Sequence, residues 1–255
     1  MKKQMNNIYK IADITIKITS LYEDIHEYCR DYRSDEEPDF TVEISQTDID
    51  FERKKSAREN IAEGRKIINY PDGYLEELAV YRKISEKMLE YNTFLFHGSA
   101  VAVDGAGYIF TAPSGTGKST HAKLWCDLLG YKAVMVNDDK PLIKITENNV
   151  LVYGTPFNGK HKRGNNISVP LKAICILERS ENNHIHEISA DDAYTKLLQQ
   201  TYRPLNPLAL TKTMKLLDEL KKRVSFYHLF CNMNIEAAKI SYKTMKGLKN
   251  NEITK

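Results

Sequence analysis

The stretch IFTAPSGTGKSTHAKLW, Ile109 to Trp125, decides how this chain is read. An apolar run enters a glycine-rich loop, and the loop opens into a segment with helical spacing. Strand, loop and helix in that order are the setting of a phosphate-binding loop, whose usual pattern is Gly, four residues, then Gly-Lys-Ser/Thr. Here Ala112 stands at the opening position. Alanine serves there as long as its φ stays negative, since only a positive φ strongly demands glycine. Gly115 and Gly117, nearest the expected phosphates, are both present. In such a loop the backbone N–H groups from Ser114 through Gly115, Thr116 and Gly117 to Ser119 curl around phosphate oxygens at a helix N-terminus. Lys118 adds a full charge toward the β- and γ-phosphates, and the hydroxyl of Ser119, or that of Thr120, is offered to Mg²⁺.

Working outward, VMVNDDK is an apolar strand ending in Asp138 and Asp139. An acid at a strand end downstream of a phosphate-binding loop is where a Mg²⁺-holding aspartate belongs. A second acid beside it suits a general base that takes the proton of an attacking hydroxyl. On the other side, LFHGSA carries His97 between apolar residues, on the strand expected over Phe94–Val103. A second strand is expected over Tyr108–Thr111, joined to the first through the turn DGAG. After the loop come a helix closed by Gly130, a hairpin turning at Glu147–Asn149, and a buried strand in LKAICILER. A helix capped by Ser189 follows, then another in NPLALTKTMKLLDELKKR, a strand in VSFYHLF and a last helix. Upstream, KIADITIKIT alternates like one strand and DFTVEIS like another. SQTDIDFERKKSARENIAEG reads as helix or irregular chain, and YLEELAVYRKISEKMLEY as a helix. The fold class expected is α/β with a mixed sheet, without regular βαβ alternation. An α+β extension over residues 1–90 is expected to pack on a catalytic core over residues 91–255.

The bulk properties narrow the partners. The chain has 255 residues, 42% hydrophobic and 28% charged, as in an ordinary globular protein. A net charge of +3 is too mild to argue for nucleic acid. No apolar run approaches the roughly 20 residues of a membrane span, and the N-terminus lacks the pattern of a signal peptide. The four cysteines form no C-x-x-C pair, so a reducing cytoplasm is expected and neither zinc nor a redox dithiol is indicated.

His-Gly on a strand, a hairpin, a loop of the SGxGKS kind and a strand ending Asp-Asp together resemble the catalytic domain of HPr kinase/phosphorylase. That family consists of bacterial protein-serine kinases whose fold is similar to that of phosphoenolpyruvate carboxykinase. The resemblance covers Phe94 to Leu177, about a third of the chain. It implies ATP and Mg²⁺ as cofactors, with Lys118 and Ser119 holding phosphates and metal. It also implies one acid of the pair as the base, and His97 hydrogen-bonded to that base. Asp139 is taken as the base and Asp138 as the metal partner. Its implied acceptor is a serine of a peptide or small protein. HPr kinases are hexamers, so a homo-oligomer stays open. One departure stands out: VYGTPFNGKHKRGNN replaces a segment that carries a metal-binding Glu in that family, and it has no acid. It offers donors instead, Thr155, Asn158, Lys160, His161, Lys162 and Arg163. Lys160 and Arg163 are the candidate phosphate contacts, with Arg203 a further one. The missing acid keeps a second reading open, a nucleotide-binding module that performs no transfer. A kinase of free serine or another metabolite is a third.

Overall fold

The computed structural model describes residues 4–62, 64–159 and 162–248. The chain divides into two units, Met1–Lys87 and Met88–Lys255.

The first unit opens on a hairpin where the alternation suggested one strand. β1 (Met5–Ile11) and β2 (Ile14–Ser20) pair antiparallel, with Ile11 opposite Ile14. Ala12 and Asp13 make the reversal with φ of 53° and 61°. Two successive left-handed residues are what a two-residue hairpin turn needs. Ala-Asp is not the usual pair for it, so the local signal was absent. After α1 (Asp24–Tyr28), β3 (Phe40–Glu43) joins β2 in parallel. α2 (Gln46–Ala62) settles the ambiguous polar segment as a helix, and α3 (Asp72–Met88) follows. The fully buried Glu76 accepts the N–H groups of Leu21 (2.6 Å) and Tyr22 (3.0 Å), tying α3 to the end of β2.

The second unit holds every candidate site residue. β4 (Thr93–Leu95), β5 (Ser99–Val103) and β6 (Ala106–Thr111) lead into α4 (Lys118–Leu129). β7 (Ala133–Asn137), β8 (Leu142–Ile145), β9 (Val150–Tyr153), β10 (Ser168–Arg179) and β11 (His184–Ile188) come next. α5 (Ala190–Gln200), α6 (Pro207–Lys221), β12 (Ser225–Cys231) and α7 (Ile235–Lys246) complete it. Among the described residues these strands form one nine-stranded sheet in the order β4-β8-β9-β10-β6-β5-β7, with β12 beside β10 and β11 beside β12. β10 bridges two parts of it. Ser168–Pro170 pair with β9, and beyond an irregularity between Leu171 and Ala173 the strand runs parallel to β6 and β12. A strand shared in this way curls the sheet.

Neighbouring residues of a strand face opposite sides. Ile109 and Ile174 face α5 and α6, joining Leu197 and Leu217, while Phe110 and Cys175 face α4 and α7, joining Trp125 and Met245. Both sheet faces are therefore covered, which explains why the central strands read as continuous apolar runs.

Strand direction builds the site. β6, β10 and β12 are parallel, and β5 runs against both β6 and β7. Hence β6, β7, β10 and β12 all end on one edge of the sheet, and β5 begins there. The carboxyl ends of such strands are where open α/β sheets bind ligands.

Candidate active site

The seven residues between the strand residue Thr111 and the helix residue Ser119 make a tight loop. Gly115 (φ 79°) and Gly117 (φ 124°) take the left-handed conformations that side chains resist, and Ala112 does not. Lys118, only 7% exposed, curls back so that Nζ donates to the carbonyls of Ala112 (2.9 Å) and Pro113 (3.3 Å). Burial pushes its ammonium below the usual range, and the charge of Asp139 works against that shift. Arg179, the last residue of β10, donates Nε to the carbonyl of Thr116 (3.3 Å) and Nη2 to that of Gly115. A trans peptide points its N–H opposite its C=O. Arg179 thereby turns the N–H groups of Thr116 and Gly117 away from itself.

The paired acids are aimed by the residue before them. Asn137, fully buried at the end of β7, accepts the N–H groups of Asp139 (2.9 Å) and Lys140 (2.6 Å) on Oδ1. Its Nδ2 donates to the carbonyl (3.2 Å) and hydroxyl (3.0 Å) of Thr155. This bend carries both acids past the strand end and binds them to the following loop. Asp138, 2% exposed, accepts the N–H of Gly159 on Oδ1 at 2.6 Å. Its carbonyl receives the hydroxyls of Ser119 (3.1 Å) and Ser99 (3.0 Å). Asp139 instead faces His97, with Nε2 3.4 Å from Oδ1, and pairs with Lys140. Burial alone would raise the Asp139 carboxyl. The hydrogen bond from His97 and the charge of Lys140 outweigh it and hold the group at about 2.

His97 does not sit on a continuous strand, as the sequence suggested. It lies in the break between β4 and β5. Its backbone N–H donates to the carbonyl of Gln200 (2.7 Å), its Nδ1 meets Gln200 Oε1 (2.8 Å), and its carbonyl accepts the hydroxyl of Thr111 (2.8 Å). Gly98 then donates its N–H to the carbonyl of Asp139 at 3.0 Å. A Cβ on Gly98 would stand 2.7 Å from Ile109 Cγ2 and 3.0 Å from the Phe110 carbonyl, so the glycine after His97 is dictated by close packing.

Of the candidates, His97, Lys118, Ser119, Asp138 and Asp139 come together on this edge. Lys160 and His161 lie outside the described residues. Arg163 is exposed, and its charge is felt by Cys126, roughly 12 Å along α4 from Lys118 at 1.5 Å per residue. Arg203 is exposed as well. Sequence reasoning missed Asn137, Gln200, Ser99 and Arg179. Among the described residues no group of three or more His, Cys, Asp or Glu is arranged to hold a metal ion. The donors beside the loop, Ser119 and the two acids, are all oxygen, which suits a hard cation that shares phosphate oxygens. Two clefts flank the loop and share Thr116, Leu177 and Arg179. One, about 600 Å³, is lined by Pro113, Ser114, Glu178, Lys196 and Gln200. The other, about 550 Å³, is lined by Thr120, His121, Leu124, Cys231 and Met233.

Fold and site together define a mixed α/β protein whose curled mixed sheet carries a glycine-rich loop, a buried lysine and a histidine–aspartate pair on one edge. The chain belongs to the family described as SynChlorMet cassette protein ScmC, whose model matches residues 75–240. That span contains every described site residue named above. No curated protein matches the chain. Among solved structures, the Hpr(Ser) kinase/phosphatase from Coxiella burnetii is 15% identical, over 50% of this chain and 92% of that one, with a TM-score of 0.29. So loose a superposition bears on neither activity nor substrate. No helix among the described residues is long and apolar enough to cross a membrane.

Proposed function

We propose that this protein is an ATP-dependent, Mg²⁺-assisted kinase that phosphorylates a serine of a peptide or small protein. The observation that carries the reading is the convergence of Lys118 and Ser119 with the His97–Asp139 pair on one sheet edge. The loop would bind the triphosphate through its N–H groups and Lys118. Ser119 and Asp138 would hold Mg²⁺, which neutralises charge on the β- and γ-oxygens. The bond from the γ-phosphorus to the bridging oxygen breaks, ADP leaves, and the seryl oxygen bonds to phosphorus. The seryl proton passes to Asp139, which is ionised at neutral pH and oriented by His97 and, through it, by Gln200. A weakly basic carboxylate is adequate because phosphoryl transfer is loose and its proton moves late. The 600 Å³ cleft lies on the Gln200 side, where Ser114, Glu178, Lys196 and Gln200 stand among apolar lining residues. Serine as the acceptor rests on the motif resemblance. The four free cysteines support a reducing cytoplasm as the setting. Neither nucleic acid nor membrane is part of this reading, and a homo-oligomer is compatible with it.

The test is transfer of γ-labelled phosphate to a degenerate serine-peptide library and to peptides encoded beside this gene. Label should appear on serine. Asp139→Asn should lower the rate about 10²- to 10⁴-fold, the usual weight of a general base, with ATP affinity little changed. Lys118→Ala should weaken ATP binding itself, read by calorimetry. ATP binding with no label on any acceptor would replace the kinase with a nucleotide-binding module.

A further inference from the structure

The first cleft, about 600 Å³, has helix α5 on one side and the end of β10 on another. Lys196, Gln199 and Gln200 line it from the helix. Ile174, Ile176 and Glu178 alternate along β10 and so share one face. The two isoleucines of that face pack with Leu197 of α5, and Glu178 lines the cleft beyond them.

The charges around this cleft are unevenly matched. Glu178 Oε2 meets His228 Nε2 of β12 at 3.1 Å. Arg179 is engaged with the loop carbonyls of Gly115 and Thr116. Asp192 stands one turn before Lys196 on α5, where an i,i+4 ion pair can form. It caps its own helix instead. Its N–H is accepted by Ser189 Oγ (3.1 Å), and that hydroxyl donates to its Oδ2 (2.6 Å). Among the described residues Lys196 forms no ion pair. Its charge reaches His228, where it adds to burial in lowering the imidazole while Glu178 works the other way. Lys196 is thus an exposed ammonium without a counter-ion on the wall of a concave site.

Helix periodicity ties this lysine to the acid pair. Lys196 and Gln200 are four residues apart, so they share a face of α5 at a separation of about 6 Å. Gln200 holds His97 at Nδ1 (2.8 Å), and His97 Nε2 stands 3.4 Å from Asp139 Oδ1. Gln200 and Asp139 therefore lie on either side of one imidazole ring. A seryl oxygen at Asp139 is then on the order of 10–15 Å from Lys196, a span that an extended peptide covers in about three to four residues.

We propose that the first cleft takes the acceptor residues beside the phosphorylated serine, and that Lys196 selects acceptors with Asp or Glu three to four positions from that serine. The inference deepens the kinase reading above and rests on it. Its test is transfer of γ-labelled phosphate to serine peptides of otherwise uncharged sequence, each with a single Glu stepped along it. With the unaltered protein, kcat/KM should peak with Glu three or four residues from the serine. The peak should stand about fivefold above the matching Gln peptide, the upper value of an exposed ion pair. The gain should lie in the KM for peptide and fade in 1 M NaCl. Lys196→Glu should abolish that peak and create one for Lys at the same position, while calorimetry shows no matching change in Mg-ATP affinity. A flat profile in the unaltered protein, or a Glu peak that survives in Lys196→Glu, would overturn the role of Lys196. Mg-ATP affinity that falls in Lys196→Glu with no change in peptide preference would put the nucleotide in this cleft and overturn it as well. If no peptide is labelled, with Glu or without, the kinase reading itself fails and this inference with it.

Discussion

Asp138 and Asp139 are neighbours in sequence with different surroundings, and the bend at Asn137 creates the difference. One is closed in against Gly159, the other meets an imidazole and an ammonium. That asymmetry predicts an acid-dependent stability. The Asp139 carboxyl falls from an ordinary 3.8 to about 2, worth roughly 2 kcal/mol in favour of the folded state. A depressed carboxyl stabilises above its unfolded value and loses that contribution as pH falls toward its folded value. Urea unfolding of the unaltered protein and of Asp139→Asn should therefore show a gap of about 2 kcal/mol at pH 5–7. The gap should narrow below pH 4. A gap independent of pH would mean that Asp139 is held by packing and not by charge. His97, Lys118 and the acid pair were legible because each sits in a short motif with its own chemistry. Gln200 was not, since it meets His97 across 103 residues of chain. Asn137 was hidden by ordinariness: an Asn before two acids looks like any turn, and its worth comes from Thr155, 18 residues on.

At the scale of elements, the strand–loop–helix around Lys118 could be read directly, as could the caps. Ser189 accepts the N–H of Asp192, and Gly130 closes α4. The hairpin at Ala12–Asp13 and the break between β4 and β5 could not. In both places an apolar pattern runs on while the backbone turns, and only tertiary packing enforces the turn. The loop also depends on a distant element, because Arg179 at the end of β10 fixes two of its carbonyls. Arg179 is exposed, so its bonds add little to global stability, yet they orient two peptides of the glycine-rich loop. Arg179→Met should leave the urea midpoint within about 0.5 kcal/mol of the unaltered protein. It should weaken Mg-ATP binding about tenfold, by the worth of one to two charge-assisted hydrogen bonds. Unchanged affinity would show that the loop holds its shape without β10.

At the scale of the molecule, the sequence conveyed a mixed α/β core and not its strand order. Order depends on which strands pair across long separations, such as β10 with β12, and periodicity carries no information about partners. The pairing decides where chemistry can occur, because it brings the ends of β6 and β7 and the start of β5 to one edge. It also gives the second unit apolar clusters of its own. Its two apolar clusters, one with Phe96, Leu197 and Phe226 and the other with Phe110, Trp125 and Met245, draw only on residues from Leu89 onward. A stretch of 168 residues, Met88–Lys255, is well above the size at which a domain needs staples to fold. Expressed alone, this fragment should unfold cooperatively and bind Mg-ATP within about threefold of the full chain, since the loop contacts of Lys118 and Arg179 described above lie within it and threefold is well under one hydrogen bond. Calorimetry and a urea transition on the fragment check both statements. A folded fragment that no longer binds nucleotide would overturn the second statement.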